Sequence, residues 1–447
     1  METLLLWGAV LTAAFVGVAA YATRFRRRRR DDASRLASTV ELGMNRPSGQ
    51  YPLVDAGACI GCGTCVDACP EGDVLGIVHG KAVVINGVRC IGHGRCAEAC
   101  PVGAIQVGLG DITKRDDIPL LDEHQQSGVP GLYVAGELSG FALIHNAVQQ
   151  GRTAARHAAA SLGPRPEDDR LDLVVVGAGP AGLSAALTAK ELGLRCRVLD
   201  QQGPGGTILQ YPRRKLVMVQ PLEIPLFGRL KRHEYRKEEL LEIWLDLHRD
   251  QGLDVRTDER VVEIEGVDGD FTVISARDRH RARKVVLALG RRGTPRRLNV
   301  PGEDLAKVAY KLIDAEAYAD RRVLVVGGGD SAVEAAMGLT HQKGAAVTLS
   351  YRKPELLRIK KRNAERMAET IAAGRIDFLG ATTVRAIDEE AVVLNGPDGP
   401  VIVPNDDVFI LAGGIPPFAF LREVGIRFGG DQPDLRRDFP HSVDSLA

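Results

Sequence analysis

Two cysteine combs limit what this chain can become more than any other feature. The first runs Cys59-x-x-Cys62-x-x-Cys65-x-x-x-Cys69-Pro70, and the second Cys90-x-x-His93-x-x-Cys96-x-x-x-Cys100-Pro101. Three closely spaced thiolates with a remote fourth before proline are how a chain wraps a cubane iron–sulfur cluster. In two-comb arrangements the fourth cysteine of each comb reaches across to the other cluster. One cluster is therefore expected on Cys59, Cys62, Cys65 and Cys100, and the other on Cys69, Cys90 and Cys96 with His93 in the fourth slot. A structural zinc site favours ligands in two pairs, which these combs do not offer.

His93 leaves two outcomes open. If its imidazole ligates, a neutral ligand replaces a thiolate, the cluster becomes less negative and its potential rises. If it stands off, the second site holds a three-iron cluster or an iron carrying water. The first site is expected to be 4Fe-4S, and the second either 4Fe-4S with His93 or 3Fe-4S. Either way the two clusters differ electronically.

The eighth cysteine, Cys196, lies alone in an apolar βα context and reads as inert core. Comb spacing argues for metal binding rather than disulfides. The 58 basic and 58 acidic residues cancel, but Arg24 and Arg26 to Arg30 form one block. The remainder is mildly acidic, which argues against nucleic acid as a partner. Upstream, Leu4 to Ala22 is uncharged and close to the ~20 residues of a spanning helix. A cleaved signal peptide would carry its basic residues before the apolar run. Here they follow it, so a retained anchor is expected, with Met1 outside and the rest in the cytoplasm at the inner membrane. The arginines can also meet anionic head groups. Asp31 to Gln50 lacks apolar periodicity and reads as a tether.

Beyond the combs the chain turns to strand, glycine loop, helix. Leu173 to Val176 leads into Gly177-x-Gly179-x-x-Gly182, and Asp200 ends the next strand about 20 residues on, the context a dinucleotide fold requires. Gly177 suits the tight turn, Gly179 lets backbone approach a pyrophosphate, and Asp200 would take ribose hydroxyls. The pattern restarts at Arg322 to Val326 with Gly327-x-Gly329-x-x-Ala332. Its second strand ends not in an acid but at Arg352 and Lys353, with Arg358 downstream. Arginine accommodates a 2′-phosphate that a carboxylate would repel, which favours NADPH and leaves NADH open.

With both units read, the chain resembles the two-dinucleotide-domain flavoprotein reductases of the thioredoxin reductase type, and most of all their bacillithiol-disulfide-reductase-like branch. The resemblance rests on Gly177 to Gly182, Gly205 to Pro212, Lys215 to Met218, Gly327 to Glu334 and Gly131 to Glu137, and covers roughly Asp116 to Gly430. It implies FAD in the first unit, NADPH in the second and a homodimer. It further implies flavin contacts from Gly206, Thr207, Gly290, Gly136 and Glu137. Three departures stand out. The Gly131–Glu137 segment resembles the family's last FAD-contacting segment yet precedes the first glycine loop, so the order is permuted, and Glu137 replaces the usual Asp. No Cys-x-x-Cys pair lies in the second unit. Ala181 stands where the bacillithiol-type enzymes carry a cysteine.

The expected architecture is α/β. Two Rossmann-like domains join a small α+β two-cluster ferredoxin domain and an amino-terminal transmembrane helix. The boundaries are an anchor at 1–23, a basic linker at 24–50, the ferredoxin unit at 51–110 and a permuted FAD-contacting segment at 111–162. A linker at 163–170, the FAD domain at 171–297, the NAD(P)H domain at 298–415 and a tail completing the FAD domain at 416–447 follow. The expected function is a membrane-anchored NAD(P)H oxidoreductase joining NADPH, FAD and two clusters to a redox partner protein or small carrier, in either direction. Disulfide or quinone reduction, and a non-enzymatic redox sensor, are the alternatives. No side chain is offered as acid, base or nucleophile.

Overall fold

The computed structural model describes residues 2–431 except Ser48, Pro166, Arg214, Gln220 and Pro221, and within helix and strand it leaves aside the side chains of residues 2–6, 9, 10, 13, 21 and 218. The final stretch of the expected tail, 432–447, lies outside the described residues. Two compact units emerge: Met1–Gly110 with Lys360–Arg362, and Asp111–Ile359 with Asn363–Ala447.

The smaller unit opens on a single helix, α1 (Glu2–Glu41). No helix among the described residues is long and apolar enough to cross a membrane, and the expected span Leu4–Ala22 falls partly on side chains outside the description. The expectation of an irregular tether from Asp31 is corrected, because α1 continues unbroken to Glu41. Its half-buried positions include Ala22, Phe25, Arg29, Asp32, Leu36 and Thr39, spaced three or four apart as one helix face requires. Several of these are polar, so no hydrophobic stripe announced the face.

Strand β1 (Tyr51–Val54) pairs antiparallel with β4 (Ile105–Gly108), while β2 (Leu75–Val78) and β3 (Lys81–Val84) form a hairpin. Each comb turns through two left-handed glycines into a one-turn helix: Gly61 and Gly63 before α2 (Thr64–Asp67), Gly92 and Gly94 before α3 (Arg95–Glu98). A side chain at Gly61 would place its Cβ 2.1 Å from the Gly80 carbonyl, so this turn tolerates only glycine. The unit's core is built from Val74, Leu75, Ile77, Ala82, Ala104 and Ile105 around Cys59, Cys65 and Cys96. A core this small holds a domain together only with staples.

Two large sheets organise the larger unit. The first has seven strands, in order Val255–Arg256, β7 (Cys196–Leu199), β6 (Leu171–Val176), Arg279–Leu287, Asp270–Ser275 and Val261–Val267. Its seventh strand, β5 (Leu132–Val134), lies parallel to the end of Arg279–Leu287, with Val134 opposite Leu287. A residue pattern of valines buried on both faces suits these central parallel strands. Helix α4 (Ile144–Ala160) packs on α5 (Pro180–Glu191) so closely that a Cβ on Gly151 would stand 2.0 Å from the Ala181 carbonyl. Leu421, Ile426 and Phe428, late in the chain, share a core with β5 and β6.

The second sheet is wholly parallel, in order Val308–Ala309, Asp407–Ile410, Arg322–Val326, Ala346–Ser350 and Ile376–Leu379. A three-stranded antiparallel sheet, Thr383–Ile387, Ala391–Gly396 and Gly399–Pro404, packs on it through Ile387, Val392 and Leu394.

Candidate functional site

The cysteines come together around two places in the smaller unit. Cys59, Cys62, Cys65 and Cys100 line one recess, with Ile77, Ala82 and Ile105 as its apolar wall. The fourth member of that set arrives from the second comb. The Cys59 sulfur accepts from the Ala82 amide at 3.4 Å and the Cys100 sulfur from the Ala104 amide at 3.2 Å. The Thr64 hydroxyl lies 3.2 Å from the Cys62 sulfur. Hydrogen bonds of this kind tune a cluster's potential. Among the described residues no three His, Cys, Asp or Glu side chains converge as a single metal ion would require. Four thiols spread around a recess suit a polynuclear cluster, whose irons are distributed among them.

Burial and the neighbouring Cys96, Cys59 and Cys62 push the Cys65 thiol up to about 11. Burial, then Cys69 and Cys90, does the same to Cys96, also to about 11. Crowded thiolates repel, and cationic iron is what offsets that repulsion. The mutual influence of Cys69, Cys90 and Cys96 marks the second place, and that of Cys65 and Cys96 makes the two places neighbours.

His93 sits on the turn between Gly92 and Gly94. Both its ring nitrogens are buried, and among the described residues neither has a hydrogen-bond partner. Burial and the adjacent Arg95 hold its pKa below the ordinary imidazole value. A neutral ring with a free lone pair is what ligation needs. Gln50 fixes the turn, donating to the carbonyls of Ile91 and Gly92 at 3.2 and 2.8 Å.

In the larger unit, the loop after β6 carries Gly177 with φ 108, and a Cβ there would stand 2.4 Å from the Ala288 carbonyl. A Cβ on Gly182 would meet the Gly177 carbonyl at 1.8 Å, the tight helix–strand contact expected of a third glycine. Gly206, followed by Thr207, crosses directly over Gly179, and the Gly205 amide donates to the Ala178 carbonyl at 2.8 Å. Such a backbone-lined cradle at a helix N-terminus fits a pyrophosphate. Asp200 stands at the end of β7, but its carboxylate accepts from the Ala178, Gln202 and Gly203 amides at 2.7, 2.7 and 2.8 Å. Its visible work is to shape the loop.

Gly136 and Glu137 follow β5, and Gly290 follows the neighbouring strand with φ 68. Glu137 is open to solvent, yet burial pushes its carboxyl up against the opposing pull of Arg291 and Arg292. The two observations agree if the carboxylate faces a concave space enclosed by protein. Sequence reasoning missed Gln150, whose side-chain oxygen accepts from the Gly136 amide at 2.8 Å and which exchanges a hydrogen bond with Ser139. A lone glutamine in an alanine-rich helix gives no signal beyond its burial.

In the second sheet a Cβ on Gly327 would stand 2.4 Å from the Leu411 carbonyl, and one on Gly328 would enter the Tyr351 ring. Gly329 is open, and Ala332 is fully buried beneath the loop. Arg352, Lys353 and Arg358 are all exposed beyond the end of the strand Ala346–Ser350. Between the two sheets a polar chain was also missed. Lys215 pairs with Glu334 at 2.9 Å, and Asn363 donates to Asp330 at 2.7 Å and to Glu334 at 3.1 Å. The Lys215 ammonium lies 5.1 Å from the Tyr211 ring centre. Glu137 and Glu334 both act on Tyr211, whose hydroxyl is pushed up chiefly by burial. Cys196 is pushed up to about 12 by burial, far from a reactive thiolate.

The residues present thus fit two dinucleotides and an iron–sulfur pair. When bound, the flavin supplies the conversion between hydride and single-electron chemistry, and this chain's part is to hold and orient. The pyridine nucleotide-disulphide oxidoreductase family profile matches residues 174–436, and a 4Fe-4S dicluster domain profile matches 51–101. The ferredoxin–NADP reductase of Ignicoccus hospitalis is 31% identical over 58% of this chain and 83% of its own length. The bacilliredoxin reductase Bdr of Bacillus subtilis is 27% identical over 57% and 80%. The solved bacillithiol disulfide reductase Bdr of Bacillus cereus superposes with a TM-score of 0.52 at 27% identity, covering 57% of this chain and 81% of that one. The chain is a flavin-dependent oxidoreductase of the pyridine nucleotide-disulphide oxidoreductase family that also carries a 4Fe-4S dicluster domain.

Proposed function

We propose that this is a membrane-anchored NAD(P)H:ferredoxin-type oxidoreductase, in which NADPH, FAD and two clusters exchange electrons with a redox partner protein or small carrier. The observation that carries the reading is the recess shared by Cys59, Cys62, Cys65 and Cys100. An electron conduit is thereby fused to a nucleotide-binding oxidoreductase with no reactive thiol of its own. Ala181 is buried in the glycine turn and Cys196 is held protonated, which disfavours disulfide chemistry. The first site is read as 4Fe-4S, and the second as 4Fe-4S completed by His93. The parallel pairing of β5 beside Arg279–Leu287 supports a permuted order, with Gly131–Glu137 serving as the FAD-contacting segment that its relatives carry last. Arg352, Lys353 and Arg358 select the 2′-phosphate, and the protein works as a homodimer with its catalytic units in the cytoplasm.

Low-temperature electron paramagnetic resonance of the anaerobically prepared protein, before and after NADPH, tests this. Two interacting reduced-cluster signals are expected with NADPH. Clusters that accept electrons from dithionite at potentials NADPH can reach, yet never from NADPH, would sink it.

A further inference from the structure

Helix α1 is bolted to the iron–sulfur unit at a specific place. The Asp32 carboxylate accepts from the Ile77 amide at 2.8 Å, and the approach is open only because position 76 is glycine. Arg35 pairs with Asp73 at 2.6 Å and Arg28 lies 3.8 Å from Asp67. Arg29 reaches Gly80, which in turn abuts Gly61 of the first ligand loop. The ligand loop of the first cluster is therefore fixed to a known point on the helix. Ala22, where the apolar run ends, lies seven residues before Arg29, about 10 Å along the axis at 1.5 Å per residue.

Two features of the free part of α1 point to its occupant. Arg24, Arg26, Arg27 and Arg30 are exposed, forming a cationic collar. Just before them, large apolar side chains stand open, Trp7 at 65% and Phe15 at 74% exposure among them. An apolar rod ending in an arginine collar complements an anionic bilayer, with hydrocarbon on one side and head groups on the other. On the ferredoxin-like unit itself, Cys62 is exposed and Ile60 and Val102 form an open apolar rim to the same recess.

We infer that α1 is a rigid mount that holds the Cys59–Cys62 edge of the first cluster site at the head-group surface of an anionic membrane. Electrons then enter or leave at the membrane plane, and a partner must reach that plane to exchange them. The inference rests on the membrane-anchored reading and adds to it an orientation and a distance.

The test uses the full chain with both clusters, bound to phosphatidylglycerol vesicles containing a lipid whose head group carries a gadolinium chelate. Paramagnetic relaxation falls steeply with distance, so the first cluster's reduced signal is expected to relax faster with the gadolinium lipid than without it. Inserting four alanines after Arg27 leaves the strap contacts of Arg28, Arg29, Asp32 and Arg35 in place and moves the mount about 6 Å outward from Arg24, Arg26 and Arg27. This variant should bind equally well and lose the enhancement. D32A with R35A, checked by visible absorption for full cluster content, should lose it too. Vesicle binding with no enhancement in the native chain, or with enhancement unchanged by the insertion, overturns the inference and leaves the anchor standing. Failure to bind vesicles removes the anchor itself. Binding to a soluble acidic protein together with no binding to lipid would mark the collar as a protein-docking face and overturn the inference as well.

Discussion

Gly206 and Gly179 meet backbone to backbone: a Cβ built on Gly206 would stand 2.7 Å from the Gly179 Cα, and Gly206 has φ 54. The second loop thus closes over the first at a point where no side chain fits, and together they make the cradle read here as the pyrophosphate site. Gly206→Ala introduces both the clash and a strained left-handed conformation, a combined cost of about 1–3 kcal/mol. The expected result is weaker flavin retention by roughly tenfold or more at that cost, with the clusters untouched. Gel filtration followed by absorbance at the flavin and cluster bands separates the two. Full flavin occupancy in the variant would mean that the cradle lies elsewhere.

His93 offers a sharper test because its two nitrogens are buried without partners among the described residues. His93→Cys restores a fourth thiolate in that comb. The added negative charge should lower the second cluster's potential by on the order of 100 mV, the sense in which imidazole-for-thiolate exchange shifts cluster potentials. His93→Ala should leave a three-iron signal in the oxidised protein. Redox titration followed by electron paramagnetic resonance reads both. A native protein that already shows the three-iron signal, with no shift in His93→Cys, would remove the ring as a ligand.

What could be read from the sequence was whatever local chemistry forces. Gly61, Gly177 and Gly327 stand where a Cβ would strike a carbonyl at 2.1 to 2.4 Å, so motif and geometry coincide there. Valine runs such as Leu171–Val176 announced buried parallel strands. Contacts made by polar side chains over long separations stayed hidden. Asp32 caps the amide of Ile77 across 45 positions, and Lys215 meets Glu334 across 119. Neither leaves a periodic trace, so α1 read as a tether beyond its apolar run and the link between the two sheets went unseen. Asp200 shows the opposite limit. Its place at the end of β7 was legible, but its three backbone donors, which occupy it with loop shaping, were not.

The Lys215–Glu334 pair connects the segment after the first glycine cradle to the helix that begins at the second. Both side chains are about a third exposed, so the pair contributes only about 0.5–1 kcal/mol and is weakened by salt. Lys215→Ala should therefore change the KM for NADPH roughly two- to fivefold at low ionic strength, with little change in half-molar salt. Glu334→Gln should behave alike and, combined with Lys215→Ala, add little. Steady-state dye reduction across a salt series gives the answer. Additive losses in the double variant would show that the two residues act separately.

Acid should weaken the foot of β6. Asp172 is buried there, and burial alone would raise its carboxyl. The Arg195 amide at 2.9 Å, Arg165 at 2.7 Å and Arg283 at 3.3 Å outweigh that and hold it below the ordinary value. A carboxyl depressed in the folded state adds stability that is fully present above its unfolded value, about 3.9. That stability drains away as pH falls through the lower folded value. Asp172→Asn keeps a hydrogen-bond acceptor but leaves the largely buried Arg283 without its counter-charge, a loss of about 3 kcal/mol at neutral pH. The variant's stability should also fall less steeply than the native protein's as pH drops below about 4. Urea unfolding of both proteins along a pH series, followed by Trp244 fluorescence in the same unit, checks the sign: parallel curves would mean that Asp172 does not carry the acid sensitivity.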